Sequence, residues 1–518
     1  MAYSPPSAPS MFEIELKFQV PEATRRAVEQ AVATGASQRT RLQAIYFDTP
    51  DRRLAAAGIA LRLRKEGRRW VQTLKAAGPD AMQRLEHNVP LAGAMAVPAG
   101  TVPGADPQRH AGTAAGELLG AALAARAGET SAPRLVALFR TDIWRRTRTL
   151  RARGGTVELA FDSGVIVAGE RRLPVCELEV ELLSGRPAAV IDVARRWVRR
   201  HGLWLDVGSK AERGDLLARG LRAGPAVKAG GVALSREMTA DAALRAVLAQ
   251  CLAHVLPNAS AVAGGHGGDE HVHQLRVGLR RLRSALRFFA GWTRPLDPSV
   301  AEGLTALFRQ LGVARDRDAL AVSLLPALRE AGAPWFDLPP APIGPPPAEL
   351  LRGSAPSLLL LDLLELQVGG GVASASAAEA VGGASPPPPF ADAVAARLQR
   401  WHRRVIRDAR RFADLDDTAR HTLRKRAKRL RYAAEFVAAM HGRKAVAGYL
   451  ARLAPAQDSL GRYNDLCVGL ETYRSAVGGD SRAWFAIGWL TARRDAMAAE
   501  CAATLRRFAG SKPFWRND

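Results

Sequence analysis

Aromatic residues are scarce in this 518-residue chain, where Phe, Trp and Tyr together make up 6%. That weighs against a surface built to stack successive single-stranded bases. Cysteine is rarer still: Cys176, Cys251, Cys467 and Cys501 form no CxxC pair and lie far apart. Such spacing fits reduced thiols and speaks against a disulfide framework or a thiolate zinc site. No apolar run is long enough to span a bilayer, "LLLLDLLELQV" included, so no membrane association is expected. The opening "MAYSPPSAPS" lacks a basic segment followed by an apolar one, so no signal peptide is read there. Those residues are turn-rich and expected to be disordered, with Met11 an alternative start. A cytoplasmic location is the resulting expectation. Negative charge is also in short supply: 50 acidic residues against 74 basic ones give a formal net charge of +24. The excess calls for a polyanionic partner: nucleic acid, polyphosphate or an anionic membrane surface.

What is present divides into two halves. Up to about residue 222 the chain alternates like strands, as in "EIELKFQV", "IALRLRK", "RLEHNV", "TVELAFDSG" and "VCELEVEL". Residues 223–237 read as a linker, and 238–515 as helices rich in Ala, Leu and Arg. An insert at 338–389 interrupts that helical pattern with proline clusters at both ends and a Gly/Ala/Ser stretch expected to be mobile. Inside it, "SLLLLDLLELQ" reads as a short packed helix.

The strands carry charge on one face and apolar residues on the other. Glu13, Glu15 and Lys17 share a face against Phe12, Ile14, Leu16 and Phe18, and Arg62 and Arg64 share one against Leu61 and Leu63. Arg84 and Glu86 share another, as do Glu158 and Asp162, and the run Glu177, Glu179 and Glu181. The ordinary reading is a salt-bridged solvent face. Three carboxylates in a row nevertheless repel one another unless cations are present. Paired carboxylates suit a hard divalent cation such as Mg²⁺ or Mn²⁺, and nearby Arg and Lys suit phosphate oxygens.

"EIELK", "YFDTPDRRLAAAGIALRLR", "QRLEHNVPL", "VELAFDSG", "CELEVELLSG" and "GSKAERG" occur in an order that resembles the CYTH domains, the triphosphate tunnel metalloenzymes. The resemblance implies an α+β chain beginning with an antiparallel β-barrel and flanking helices, the charged faces turned inward to line a tunnel. It implies metal-dependent hydrolysis of inorganic triphosphate, with Glu13, Glu15, Glu177 and Glu179 as ligands of Mg²⁺ or Mn²⁺ and Glu181 as the alternative to one of them. Lys17, Arg62, Arg64, Lys75, Arg84, Arg140 and Lys210 would hold phosphate, and Glu13, Glu15, Lys17, Arg62 and Arg64 would form the catalytic set. Glu86, Glu158 and Asp162 are left open between ligating metal and orienting the basic residues. His87 stands where relatives often have tryptophan, on the outward face.

The helical half contains a repeat. His273, Arg276, Arg280 and Arg283 in "HQLRVGLRRLR" match His421, Arg424, Lys428 and Arg431 in "HTLRKRAKRLR", and "LGVARD" and "LGRYND" follow at nearly the same offset. Steps of three and four place each set on one helical stripe. Stripes of like charge are destabilising until a polyanion compensates them, and Asp316, Asp318 and Asp465 are read as pinning arginines. "VHQLRVGLRRLRSALRFF", "HTLRKRAKRLRYAAEF" and "SKPFW" resemble the CHAD domain. That resemblance implies two repeated four-helix bundles binding inorganic polyphosphate, on a bacterial protein of the CYTH–CHAD type, at polyphosphate granules. Competing readings are a non-catalytic polyphosphate binder and an enzyme acting on a nucleotide or thiamine triphosphate. Nucleic acid is not the expected partner, because no recognised binding motif accompanies the charge.

Overall fold

The computed structural model of the chain describes residues 12–67, 69–91, 104–125, 133–334, 344–369 and 390–516, with backbone alone at 313–323. The expectations for residues 1–10 and for half of the proline-bounded insert, the Gly/Ala/Ser stretch included, lie outside the described residues.

Nine strands form one antiparallel sheet: β1 Phe12–Gln19, β2 Ser37–Asp48, β3 Ile59–Glu66, β4 Arg69–Ala77, β5 Gln83–Leu91, β6 Val136–Ala152, β7 Gly155–Ala168, β8 Arg171–Gly185 and the two-residue β9 Trp204–Leu205. The order β5-β4-β3-β2-β6-β7-β8-β1 closes on itself because Phe12, Glu13 and Ile14 of β1 pair with Leu85, Arg84 and Gln83 of β5. The result is an eight-stranded barrel with β9 added beside β1. Closure gives each of the eight barrel strands a neighbour on both sides.

The alternation seen in the sequence now has a direction. Leu16, Phe18, Leu61, Leu63, Leu74, Val157, Leu159, Phe161, Leu178 and Val180 are all buried, although they point away from the barrel axis. Helices cover them. Arg25–Val32 packs on β6 and β7, Ala114–Leu123 on β4 and β5, and Ala188–His201 on β8 and its neighbours. The last of these buries Val190, Val193, Ala194 and Val198 on one side and ends at Gly202, whose φ of 66° satisfies a left-handed C-cap. With the apolar faces spent outward, the charged faces have nowhere to go but inside. This reverses the usual half-solvated sheet.

"SLLLLDLLELQ" does form a packed helix, Ser354–Val368, which buries Leu359, Leu360, Leu361, Leu363 and Leu364. It lies against helix Ala188–His201, where Arg195 bridges Asp362 at 2.7 Å and also Glu365. By contacts it belongs to the same compact unit as the barrel, which comprises Met1–Lys228, Leu252–Leu275 and Pro347–Gly371.

The second unit comprises Ala229–Cys251, Arg276–Pro346 and Val372–Asp518. Within it helices Phe390–Arg410, Asp417–Phe436, Arg443–Ala476 and Ala483–Ala509 pack in a ring, each touching two others. Earlier in the chain come helices Ala240–Ala263, Asp269–Phe289, Pro298–Ser323 and Leu325–Glu330. Helix Ala240–Ala263 is long and apolar enough to cross a membrane by composition, contrary to the sequence reading. Most of its apolar window is buried in the protein, as the core helix of a globular fold would be.

Candidate functional site

The barrel encloses a cavity of about 1380 Å³. Its wall takes Glu13, Glu15, Lys17 and Gln19 from β1, Arg62 and Arg64 from β3, and Lys75 from β4. β5 contributes Arg84 and Glu86, β6 Arg145, β7 Glu158 and Asp162, and β8 Glu179 and Glu181. The charges of "FEIELKF" are therefore interior ones. Local chemistry fixes the strands that present them. Asp48, buried at the end of β2, accepts from the amides of Thr49 at 2.6 Å, Leu54 at 2.8 Å and Ala55 at 2.9 Å. That cap starts helix Arg53–Ala56 and turns the chain into β3, which carries both arginines. Ser209 and Glu212 form a reciprocal capping box that starts helix Lys210–Ala218, whose first residue reaches the cavity.

Two charge clusters share the interior. In the first, Lys210 Nζ touches Asp162 at 2.6 Å, Glu179 at 3.0 Å and Glu177 in a short contact, while Arg145 binds Asp162 and Glu179 and Arg213 binds Glu177. Three carboxylates face three cations. Burial works against every charge here, yet the partners win: Glu179 lies well below the usual carboxylate range beside Arg145 and Lys210, and Lys210 is held above the ordinary lysine value by Asp162, Glu177 and Glu179.

The second cluster is not balanced in this way. Glu15 and Glu181 are directly opposed across the β1–β8 ladder, and Glu158 and Glu181 across β7–β8. Glu15 contacts Lys17 at 2.6 Å and Arg84 at 3.4 Å, and Lys75 bridges Glu13 and Glu86. Lys17, Lys75 and Arg84 thus serve Glu13, Glu15 and Glu86, and among the described residues no cation lies at ion-pair distance from Glu158 or Glu181. Burial pushes Glu13 up to about 8 against the pull of Lys75, and Glu181 up to about 7. It raises Glu158 as well, whereas Lys17 and Lys75 outweigh burial at Glu15 and keep it low. At Glu86, Lys75 and a hydrogen bond with Glu13 outweigh burial and bring its carboxyl down to about 2. Carboxyls driven toward the neutral form by burial mark a shortage of positive charge, and carboxylate oxygens are the donors that a hard divalent cation prefers. Among the described residues, the three carboxylates whose oxygens lie close enough together to share an ion are instead Asp162, Glu177 and Glu179. There, however, the Lys210 ammonium already meets all three.

Among the sequence-predicted residues, the structure gathers Glu13, Glu15, Lys17, Arg62, Arg64, Lys75, Arg84, Glu179, Glu181 and Lys210 around one cavity. Glu177 sits behind the wall, joined to it through Lys210. Arg140 is the exception: it is exposed on the outward face of β6, paired in register with Ile45 and Val167. Arg145, five residues on, is the inward arginine, and sequence reasoning missed it. The charges at Arg140, Asp142 and Arg146 mimic an inward face, but Asp142 meets Arg41 in an exposed ion pair. Also missed were Tyr46, Asp206 and Arg213 of the lining. His87 points outward, as expected, with its Nδ1 2.9 Å from Nδ1 of buried His110.

In the helical unit, Arg276, Arg280 and Arg283 lie over the Phe308 ring, 5.0, 5.8 and 5.6 Å from its centroid. Lys428 is brought down to about 7 by burial and by the positive charge of Arg424 and Arg280, with Asp465 opposing. The two repeated stripes therefore act on one another. His421 shares a 2.6 Å hydrogen bond with Asn464, and Arg431 is tied to Glu435 at 2.8 Å. His273 precedes Arg276 on the same helix. Side chains at Asp316 and Asp318 lie outside the described residues.

The curated inorganic triphosphatase of Haemophilus influenzae is 29% identical over 175 residues, which is 33% of this chain and 44% of that protein. The chain therefore spans less than half the length of that relative. Among solved structures, the CHAD domain of the plant Ricinus communis is 27% identical, with a TM-score of 0.43 over 56% of this chain and 98% of its own. A Hippeastrum protein described as having a dominant triphosphatase activity is 17% identical, with a TM-score of 0.27 over 40% of this chain and 96% of its own. The matched families cover most of the sequence: the chain carries a CYTH domain over residues 11–214 and a CHAD domain over residues 246–474.

Proposed function

We propose that the barrel hydrolyses inorganic triphosphate to diphosphate and phosphate with the help of Mg²⁺ or Mn²⁺, and that the helical half binds inorganic polyphosphate. The observation that carries the first part is the juxtaposition of a carboxylate-rich cluster with Arg62 and Arg64, whose Nε atoms are buried without a hydrogen-bond partner among the described residues. Buried donors of this kind cost stability until an acceptor reaches them, and phosphate oxygens are suited to that role. Glu13 and Glu15, with Glu181, would hold the cation, which when bound supplies charge neutralisation on the phosphate oxygens. Glu177 and Glu179, pinned by Lys210, Arg145 and Arg213, instead hold the helix that bears Lys210. Arg62, Arg64, Lys75 and Arg84 orient the chain of phosphates, Lys17 offsets Glu15, and Arg145 takes the place expected of Arg140. Bond cleavage consumes one water, which adds to the terminal phosphorus as the bridging oxygen leaves with the diphosphate.

One feature supports a second reading. Leu138, Leu173, Pro174 and Leu217 also line the cavity, a surface that an inorganic anion does not use but an organic triphosphate can. For the helical half, the crowding of Arg280, Arg424 and Lys428 supports a polyanion site, because a bound phosphate chain relieves their mutual repulsion. The test is phosphate release from triphosphate, ATP, thiamine triphosphate and long-chain polyphosphate, with and without Mg²⁺. Turnover of triphosphate above the others, lost on chelation, supports the proposal. Preference for an organic triphosphate favours the second reading, and no turnover of any of them overturns both.

A further inference from the structure

We propose that Tyr46 is a positioning residue for the phosphate-binding Arg62, and that a stack behind it couples Arg62 to the seat of helix Lys210–Ala218. The proposal rests on the barrel being the triphosphate site. Tyr46 and Arg62 are directly opposed across the β2–β3 ladder, and both line the cavity. The Arg62 Nη1 donates to the Tyr46 hydroxyl at 3.1 Å. Among the described residues no carboxylate reaches ion-pair distance of Arg62, and its Nε is buried without a partner. A largely enclosed guanidinium is thus held by a phenol hydroxyl and not by a carboxylate. This leaves its charge free for an anion, whereas a carboxylate partner would compete with substrate.

The phenol itself is fixed from behind. Tyr46 is 4% exposed and stacks on Phe139, with ring centroids 4.6 Å apart and planes 16° from parallel. Helix Lys210–Ala218 comes so close to Phe139 that a Cβ at Gly214 would lie 2.1 Å from the ring. Any side chain there must displace the ring. The same helix begins at Lys210, which is locked among Asp162, Glu177 and Glu179. Lys210, Gly214, Phe139, Tyr46 and Arg62 therefore form a continuous packed path from one charge cluster to the arginine beside the other. Without the hydroxyl, the guanidinium regains rotamers that substrate binding must then freeze.

The experiment is Tyr46→Phe, which keeps the stack and removes the hydrogen bond. Triphosphate kcat/KM is expected to fall about tenfold, chiefly through KM, with the melting temperature little changed. In an Arg62→Ala background the same substitution should have no further effect. The crystal structure of the Tyr46→Phe protein should show the Arg62 guanidinium displaced or divided between rotamers. Unchanged kinetics, losses that add in the double variant, or an unmoved Arg62 each overturn the proposal. If the wild-type protein does not turn over triphosphate, the function proposed above fails on its own. Arg62 in the two crystal structures then still decides the role of Tyr46.

Discussion

Binding of Mg²⁺ to the metal-free protein should release protons, in a number that depends steeply on pH. Burial holds the Glu13 carboxyl at about 8 and the Glu181 carboxyl at about 7. At pH 7 the first is then mostly protonated and the second partly so, and metal ligands must be deprotonated, so on the order of one proton should leave per site filled. At pH 9 the two together hold only about 0.1 proton, and release should nearly vanish. Titration calorimetry in buffers of different ionisation enthalpy measures this directly, because the slope of observed heat against buffer heat is the number of protons transferred. A Glu13→Gln protein should release fewer protons at pH 7, only the share left to Glu181. Clear Mg²⁺ binding at pH 7 with zero slope would mean that the ligands are already ionised. The carboxylate-rich cluster would then not be the metal site.

Other consequences can be checked separately. Glu15→Ala should lower triphosphate turnover about 10²-fold or more with the circular dichroism unchanged, since a ligand of the phosphate-neutralising cation is lost; near wild-type activity would remove Glu15 from the site. The folded value of Glu13, about 8, lies above its unfolded 4.5, so its stabilising contribution is present below 4.5 and is lost as pH rises through 8. Metal-free Glu13→Gln should therefore lose less melting temperature than wild type between pH 6 and pH 9, and parallel curves would refute that environment. Reversing charge at Arg276, Arg280, Arg424 and Lys428 should abolish binding of long-chain polyphosphate while sparing triphosphate hydrolysis. Polyphosphate binding by the intact protein should also weaken as salt rises. Loss of hydrolysis with binding retained would mean that the two functions are in the wrong halves.

Much of the barrel was legible because strand parity is strict. Glu13, Glu15 and Lys17, or Arg62 and Arg64, share a face whatever lies around them. Parity does not say which face is inside, and the direction came from resemblance before the helices on Leu16 and Phe18 explained it. On β6 no parity reading was made, and Arg140 rested on the resemblance alone. Thr141 and Ile143 face inward, where helix Lys210–Ala218 packs, so the apolar side of that strand is the inner one and Arg140 is carried outward. The partners of Glu177 and Glu179 were illegible because Lys210 and Arg213 lie more than thirty residues away, on an element whose approach is set by Gly214 and Phe139. The leucine-rich helix could be read as a helix, but its seat on Arg195 is a tertiary contact spanning 167 residues to Asp362.

The most direct test of the central claim is a crystal structure of the protein with Mn²⁺ and triphosphate, the metal placed by its anomalous scattering. The account predicts Mn²⁺ bound by Glu13 and Glu15 with Glu181, the phosphates against Arg62, Arg64, Lys75 and Arg84, and Lys210 still seated among Asp162, Glu177 and Glu179. Metal between those last three carboxylates with Lys210 expelled, or an anion bound outside the barrel, would contradict it.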